Sequence, residues 1–292
     1  MKRGRGGFAL TAEARSEIGR VRQRNEDSML VVDLATGREG LPAGALGASG
    51  ALLVVCDGLG GAVGGDVASA MAARAIADRV SAARAGLTDA ESGAALLREA
   101  VLDANRRVYQ ESVRNQKLTG MGTTATVALV REAWAAFAQV GDSRAYLLRA
   151  GGLHQLTRDQ SLVVALLDTG VITASQAETL QGTNILLQAV GTEEGVQVAT
   201  TQLDLCRGDT LLLCSDGLTA VLSDDQIRDV LSDARLGNRG RAGRRKAVDE
   251  FVERVYAGGA PDNVTTIVIR VEGDDLPDPP HPSLTAEAKG RA

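Results

Sequence analysis

The chain has 292 residues, of which 44% are hydrophobic and 24% charged, with a formal net charge of −5. That length and composition suit a soluble globular protein with a sizeable core, and the acidic balance argues against nucleic acid or an anionic membrane as partner. No run approaches the roughly 18 apolar residues of a membrane span, and the basic start MKRGRGG lacks the apolar segment of a signal peptide, so a cytoplasmic location is expected.

In chain order, residues 1–9 read as a flexible N-terminus and residues 10–272 as one domain. Apolar, β-branched runs predict strands at Met29–Asp33 and Ala51–Cys56. Helical spacing follows over Asp66–Val80, with Val67, Ala70, Met71, Ala73, Ala77 and Val80 near one face, and again over Asp89–Gln116. Three more strands are predicted at Thr123–Val130, Trp134–Val140 and Ala145–Leu148, then a helical insert within 161–187 and a strand at Thr210–Cys214. Helices are predicted at Ser223–Leu231, with Ser223 as N-cap, and at Ala247–Tyr256. The basic run RLGNRGRAGRRK (235–246) between them has no interleaved aromatics and reads as a solvated loop. A last strand is predicted at Val264–Val271, and residues 273–292, which hold most of the six prolines, read as a disordered tail. The strands cluster instead of alternating with helices, which predicts an α+β fold of antiparallel sheets with helices packed outside.

The stretch VVCDGLGGAVGGDVAS (54–69) poses the chemical question. A dinucleotide-binding loop needs G-x-G-x-x-G; here Gly58 and Gly60 are followed by Val63, with Gly64 one place late, and no G-K-[ST] is present. A different pattern recurs instead. ALLVVCDGLGG (51–61) and DTLLLCSDGLT (209–219) are both apolar strands ending in Asp-Gly, which delivers Asp57 and Asp216 to strand ends. Asp262, in PDNVT, enters the last strand, and Asp142, in GDSR, lies between two others. Any one of these is most simply a turn residue. Together, without histidine or cysteine partners, such carboxylates suit a hard cation such as Mg²⁺ or Mn²⁺. Arg22, Glu26 and Asp27, in GRVRQRNEDSML, add a side chain suited to bidentate phosphate contact beside two further carboxylates. The combination points to phosphate-ester hydrolysis assisted by metal. Cys56, Cys206 and Cys214 form no disulfide or metal spacing and read as small buried apolar residues.

From Gly19 to Val271 these motifs stand in a fixed order: R-x-x-x-E-D, D-G-x-G-G, MGTTATVAL, GDSR, LTRDQSLV, SDGL and PDNVT. In this the chain resembles the metal-dependent Ser/Thr protein phosphatases of the type 2C (PPM) family in their compact bacterial form. The resemblance implies a four-layer α-β-β-α sandwich, two antiparallel sheets flanked by helix pairs, with metals in a cleft at one edge. It implies that Asp57 bridges two Mn²⁺ or Mg²⁺ ions, that the Gly58 carbonyl serves one, and that Asp216 and Asp262 complete the other. Glu26 would act through a water, with Asp27 just behind it, and Arg22 would hold the phosphate. Asp142, with Asp216, would form a weaker third metal site. Water would attack phosphorus directly, without a phosphoenzyme. The implied partners are phosphorylated proteins, among them a Ser/Thr kinase and its substrates, met by a monomer.

Three positions depart from the family's pattern. Ala62 stands where D-G-M-G-G-H has histidine, Gln160 where LTxDHS has histidine, and Gln188 where arginine is frequent. They favour a competing reading, a phosphoprotein-binding pseudophosphatase without turnover; the intact carboxylate set favours the enzyme.

Overall fold

The structure, a computed structural model, describes residues 7–40, 46, 49–59, 64–179, 185–233 and 246–280. Gly60, Gly61 and Ala62, residues 235–245 of the basic run and the tail from 281 lie outside them.

In chain order the elements are β1 (Ala9–Glu17), β2 (Asp27–Asp33), β3 (Ala51–Leu59), α1 (Gly65–Ala83), α2 (Ala90–Arg114), β4 (Gly122–Thr123), β5 (Ala125–Arg131), β6 (Trp134–Val140), β7 (Arg144–Arg149), β8 (Gly152–Gln155), α3 (Leu162–Asp168), α4 (Ala174–Thr179), β9 (Ala199–Asp204), β10 (Thr210–Cys214), α5 (Asp216–Thr219), α6 (Asp224–Ser232), α7 (Ala247–Ala257) and β11 (Val264–Glu272). They form two antiparallel sheets, one ordered β1-β11-β10-β7-β8 and the other β2-β3-β5-β6-β9, with β4 paired to β3.

Strand alternation builds the layers. Leu53 and Val55 face Leu211, Leu213, Ile267 and Ile269 in the core between the sheets. Leu52, Val54 and Cys56, one residue out of phase, pack under Ala72, Ile76, Leu97 and Val101 of α1 and α2. On the far side Leu212, Cys214 and Val268 bury against Ile227, Val230, Phe251 and Val255 of α6 and α7. The order is therefore α-β-β-α, the expected sandwich. Because β3 and β10 are covered on both faces, each reads as an unbroken apolar run, not an alternating one.

Helix starts follow their local chemistry. Asp89 and Ser223 both cap α-helices through reciprocal capping boxes with Ser92 and Gln226. The strand expected over Thr123–Val130 is broken at Thr124, which turns aside to bond the backbone of Asp57: its Oγ1 accepts from Asp57 N–H at 2.9 Å and its N–H donates to Asp57 O at 2.8 Å. The ordered core also runs past residue 272, since Leu276 is 6% exposed and packs with the inter-sheet cluster. Among the described residues no helix is long and apolar enough to cross a membrane.

Candidate active site

β2 and β3 pair so that Asp27 lies opposite Asp57. β10 and β11 pair with Cys214 opposite Thr266, which sets Asp216 just beyond one strand end and Asp262 just before the neighbouring one. The β6–β7 turn brings Asp142 to the same edge. Arg22, Glu26, Asp57, Gly58, Leu59, Asp142, Leu186, Asp216, Asp262 and Asn263 line one cleft of about 360 Å³ there. Asp27 is the one candidate not on that lining; it sits behind it.

Close backbone packing positions the β3 end. The Gly58 N–H donates to Glu26 O at 3.1 Å, and a Cβ on Gly58 would fall 2.2 Å from Gly65 O and 2.6 Å from Glu26 O. Only glycine lets β3, the segment before β2 and the start of α1 meet at this point. Thr123 Oγ1 also donates to Asp57 O at 2.8 Å, so the backbone around Asp57 is held by the adjacent Thr123 and Thr124 of MGTTATVAL. Gly217, after Asp216, has the same role: a Cβ there would lie 1.9 Å from Asn263 O.

The loop carrying Arg22 and Glu26 is held by a residue that sequence reasoning did not single out. Asn263, 4% exposed, accepts from Glu26 N–H at 2.8 Å and donates through Nδ2 to Ile18 O and Arg24 O at 2.8 and 2.9 Å. Its one signal in the sequence is its place beside Asp262. Arg22 itself donates to Asp262 Oδ2 at 2.6 Å.

Charge is badly compensated in this cleft. Burial, then repulsion from Asp27 and Asp216, holds the Asp57 carboxyl well above the usual range. Burial, then Asp262, raises Asp216; burial, then Asp216 and Asp159, pushes Asp142 up to about 7. Glu26 is raised chiefly by burial as well. Asp27 is pushed up to about 6 by burial, against hydroxyl bonds from Thr265 and Ser215; Ser215 Oγ donates to its Oδ2 at 2.8 Å, and its buried Oδ1 has no hydrogen-bond partner. Arg22 is the only cationic side chain among the described lining residues.

Among the described residues, no three acidic, histidine or cysteine side chains converge tightly enough to seat an ion by themselves. The donor set nevertheless fits a hard divalent cation. It is all oxygen, it is anionic and largely buried, and its charge is met by one arginine. It fits no thiol chemistry. Cys56 and Cys214 are fully buried, and burial raises both thiols, Cys214 to about 12, so neither offers a thiolate.

The family model described as Protein phosphatase 2C matches residues 44–253. A serine/threonine phosphatase, stp, of Listeria welshimeri is 36% identical over 260 residues, 89% of this chain and 95% of that protein. A crystal structure of a bacterial serine phosphatase superposes with a TM-score of 0.78 at 32% identity, covering 91% of this chain and 100% of the other. The catalytic domain of the serine/threonine protein phosphatase PstP, solved in complex with two manganese ions, gives a TM-score of 0.71 at 32% identity over 91% and 99% of the two chains.

Proposed function

This chain belongs to the protein phosphatase 2C family and is a protein serine/threonine phosphatase; from that premise we propose that it hydrolyses phosphoserine and phosphothreonine with two Mn²⁺ or Mg²⁺ ions held in the cleft of Asp57 and Asp216. The observation that carries the metal reading is the uncompensated charge. Asp57, Asp142 and Asp216 each hold a proton above the ordinary carboxylate range, and cations would replace those protons.

Asp57, the Gly58 carbonyl, Asp216 and Asp262 would hold the two ions, Glu26 would reach them through water, and Asp142 with Asp216 would hold a third more weakly. When bound, the ions polarise the phosphoryl oxygens and bring the pKa of a water into the neutral range. Arg22 would turn from Asp262 to the phosphate, for which its fork of donors is suited. Half of the Arg22 side chain is exposed, so it can make that exchange without unpacking the core. Leu59 and Leu186 form the apolar walls and would strengthen charge interactions by displacing water. No thiol takes part. The phosphoproteins acted on would include a Ser/Thr kinase and that kinase's targets, and the chain would act as a monomer. The reading without turnover finds no support in the cleft, where every carboxylate of the set is present.

The test is hydrolysis of nitrophenyl phosphate and a phosphothreonine peptide by the purified chain. Turnover should require Mn²⁺ or Mg²⁺, stop reversibly on chelation and resist thiol alkylation. Undiminished turnover in excess chelator would overturn the metal reading.

A further inference from the structure

Gln160 and Gln188, two departures from the type 2C pattern, are brought to one place by the fold. Gln188 Oε1 accepts from Gln197 N–H at 2.9 Å, and Gln160 Nε2 donates to Gln197 O at 3.2 Å. An arginine at 188 has no acceptor for that N–H. The far side of Gln160 grips the turn that carries Asp142. Its Oε1 accepts from Gly141 N–H at 2.8 Å, and its own N–H donates to Gly141 O at 3.0 Å. That turn is already fitted tightly: Gly141 has φ +100°, and a Cβ there would lie 2.7 Å from Thr124 Cγ2, the threonine that also bonds Asp57.

The backbone of Gln160 faces a third element. Leu187 N–H donates to Gln160 O at 2.8 Å, Leu162 N–H donates to Ile185 O at 2.8 Å, and Ser161 bridges to Leu186. Leu186 is a wall of the cleft. One residue thus spans the Asp142 turn, the wall that a peptide substrate would press on, and the 197 segment.

We propose that Gln160 is a positioning residue that couples the Leu186 wall to Asp142, so that contact at the wall and retention of the divalent ion at Asp142 assist one another. The proposal rests on the reading of Asp142 as a metal ligand. Loss of the Gln160 amide leaves the Gly141 N–H without its partner, and an unmet bond of this kind changes an equilibrium by about five- to a hundredfold. The coupling is reciprocal, as linkage requires.

The experiment titrates the full chain with Mn²⁺ alone by calorimetry and electron paramagnetic resonance, and follows hydrogen exchange at the Gly141 amide without metal. Gln160→Leu should speed that exchange and weaken the weakest class of Mn²⁺ sites about tenfold, leaving tighter classes in place. Gln188→Leu, which cuts only the outer end of the brace, should act in the same direction and less. Leu186→Ala should weaken the same class in the native background and have no further effect beside Gln160→Leu. Additive effects of Leu186→Ala and Gln160→Leu, or unchanged Mn²⁺ binding in a folded Gln160→Leu protein, would overturn the coupling alone. Asp142→Asn separates the two readings. If it leaves every Mn²⁺ class intact, the metal role of Asp142 falls and the coupling with it; if it removes the weakest class, the reading of Asp142 stands whatever Gln160→Leu does.

Discussion

Arg22 and Asp262, 240 residues apart in the chain, are joined by a 2.6 Å ion pair at the mouth of the cleft. The cation suited to a phosphate and a carboxylate suited to a metal ion are therefore each other's partner in this structure. Replacing Arg22 by Ala should raise KM for a phosphopeptide about tenfold with a smaller effect on kcat. It should also free Asp262, so Mn²⁺ affinity should stay equal or rise slightly. Steady-state kinetics beside a Mn²⁺ titration check both; weaker Mn²⁺ binding would mean that Arg22 positions the ligands instead of competing with substrate.

Asp57 sets function against stability. Burial and the neighbouring Asp27 and Asp216 raise its carboxyl well above the usual range, so a neutral isostere spares the metal-free fold the cost of burying an ionisable group there. Asp57→Asn should lower turnover by at least about a hundredfold, through loss of a ligand. In chelator it should melt higher than the parent by about 2–4 °C. Thermal melts in chelator together with nitrophenyl phosphate assays test the pair of effects, and a destabilised Asp57→Asn protein would show that Asp57 is bound more favourably than its surroundings imply.

The same shifts fix a pH dependence. Asp27, at about 6, and Asp142, at about 7, have folded-state values above their unfolded ones, so the folded chain binds more protons across that interval. Stability then falls as pH rises from the unfolded value near 4 through the folded values, and the penalty is complete above about pH 7. In chelator the melting temperature should drop by about 5 °C or more between pH 5 and pH 8. Saturating Mg²⁺ or Mn²⁺ should flatten or reverse that slope, because the ions bind the deprotonated form. A chelated protein whose melting temperature rises across this range would contradict the buried-carboxylate account.

Asp57 and Asp216 were legible in the sequence because each closes a strand whose two faces are buried, and Leu52–Cys56 and Leu211–Cys214 therefore read as plain apolar runs before an Asp-Gly. β1 was not legible. Its sequence ALTAEARSE carries charged residues, one of which, Glu13, is 6% exposed because its Oε2 accepts from the Ala247 N–H at the start of α7. β9 was missed for the opposite reason: it is a sheet edge with exposed side chains and no apolar face to announce it. Within the site, the roles of Asn263, Thr124 and Gln160 depend on backbone groups distant in sequence, which neither spacing nor composition encodes.

Asn263 gives the sharpest test of how the site is assembled. Its side chain is buried and makes its three bonds to backbone on either side of Arg22, at Ile18, Arg24 and Glu26, while its own N–H donates to Asp262 Oδ1 at 2.8 Å. Asn263→Ala removes the partner of two carbonyls and one N–H and should cost about 1–3 kcal/mol of stability. Asn263→Asp keeps an acceptor for Glu26 N–H but turns two attractive contacts, to Ile18 O and Arg24 O, into repulsions, and it places another negative charge beside Asp262. The aspartate variant should therefore be the less stable of the two in chelator, and added Mn²⁺ should recover more of its loss than of the alanine variant's. Both should raise KM through the displaced Arg22. Denaturant titrations with and without Mn²⁺, read beside KM, decide the matter. If either variant keeps parental stability and KM, the loop bearing Arg22 and Glu26 is held by something other than Asn263.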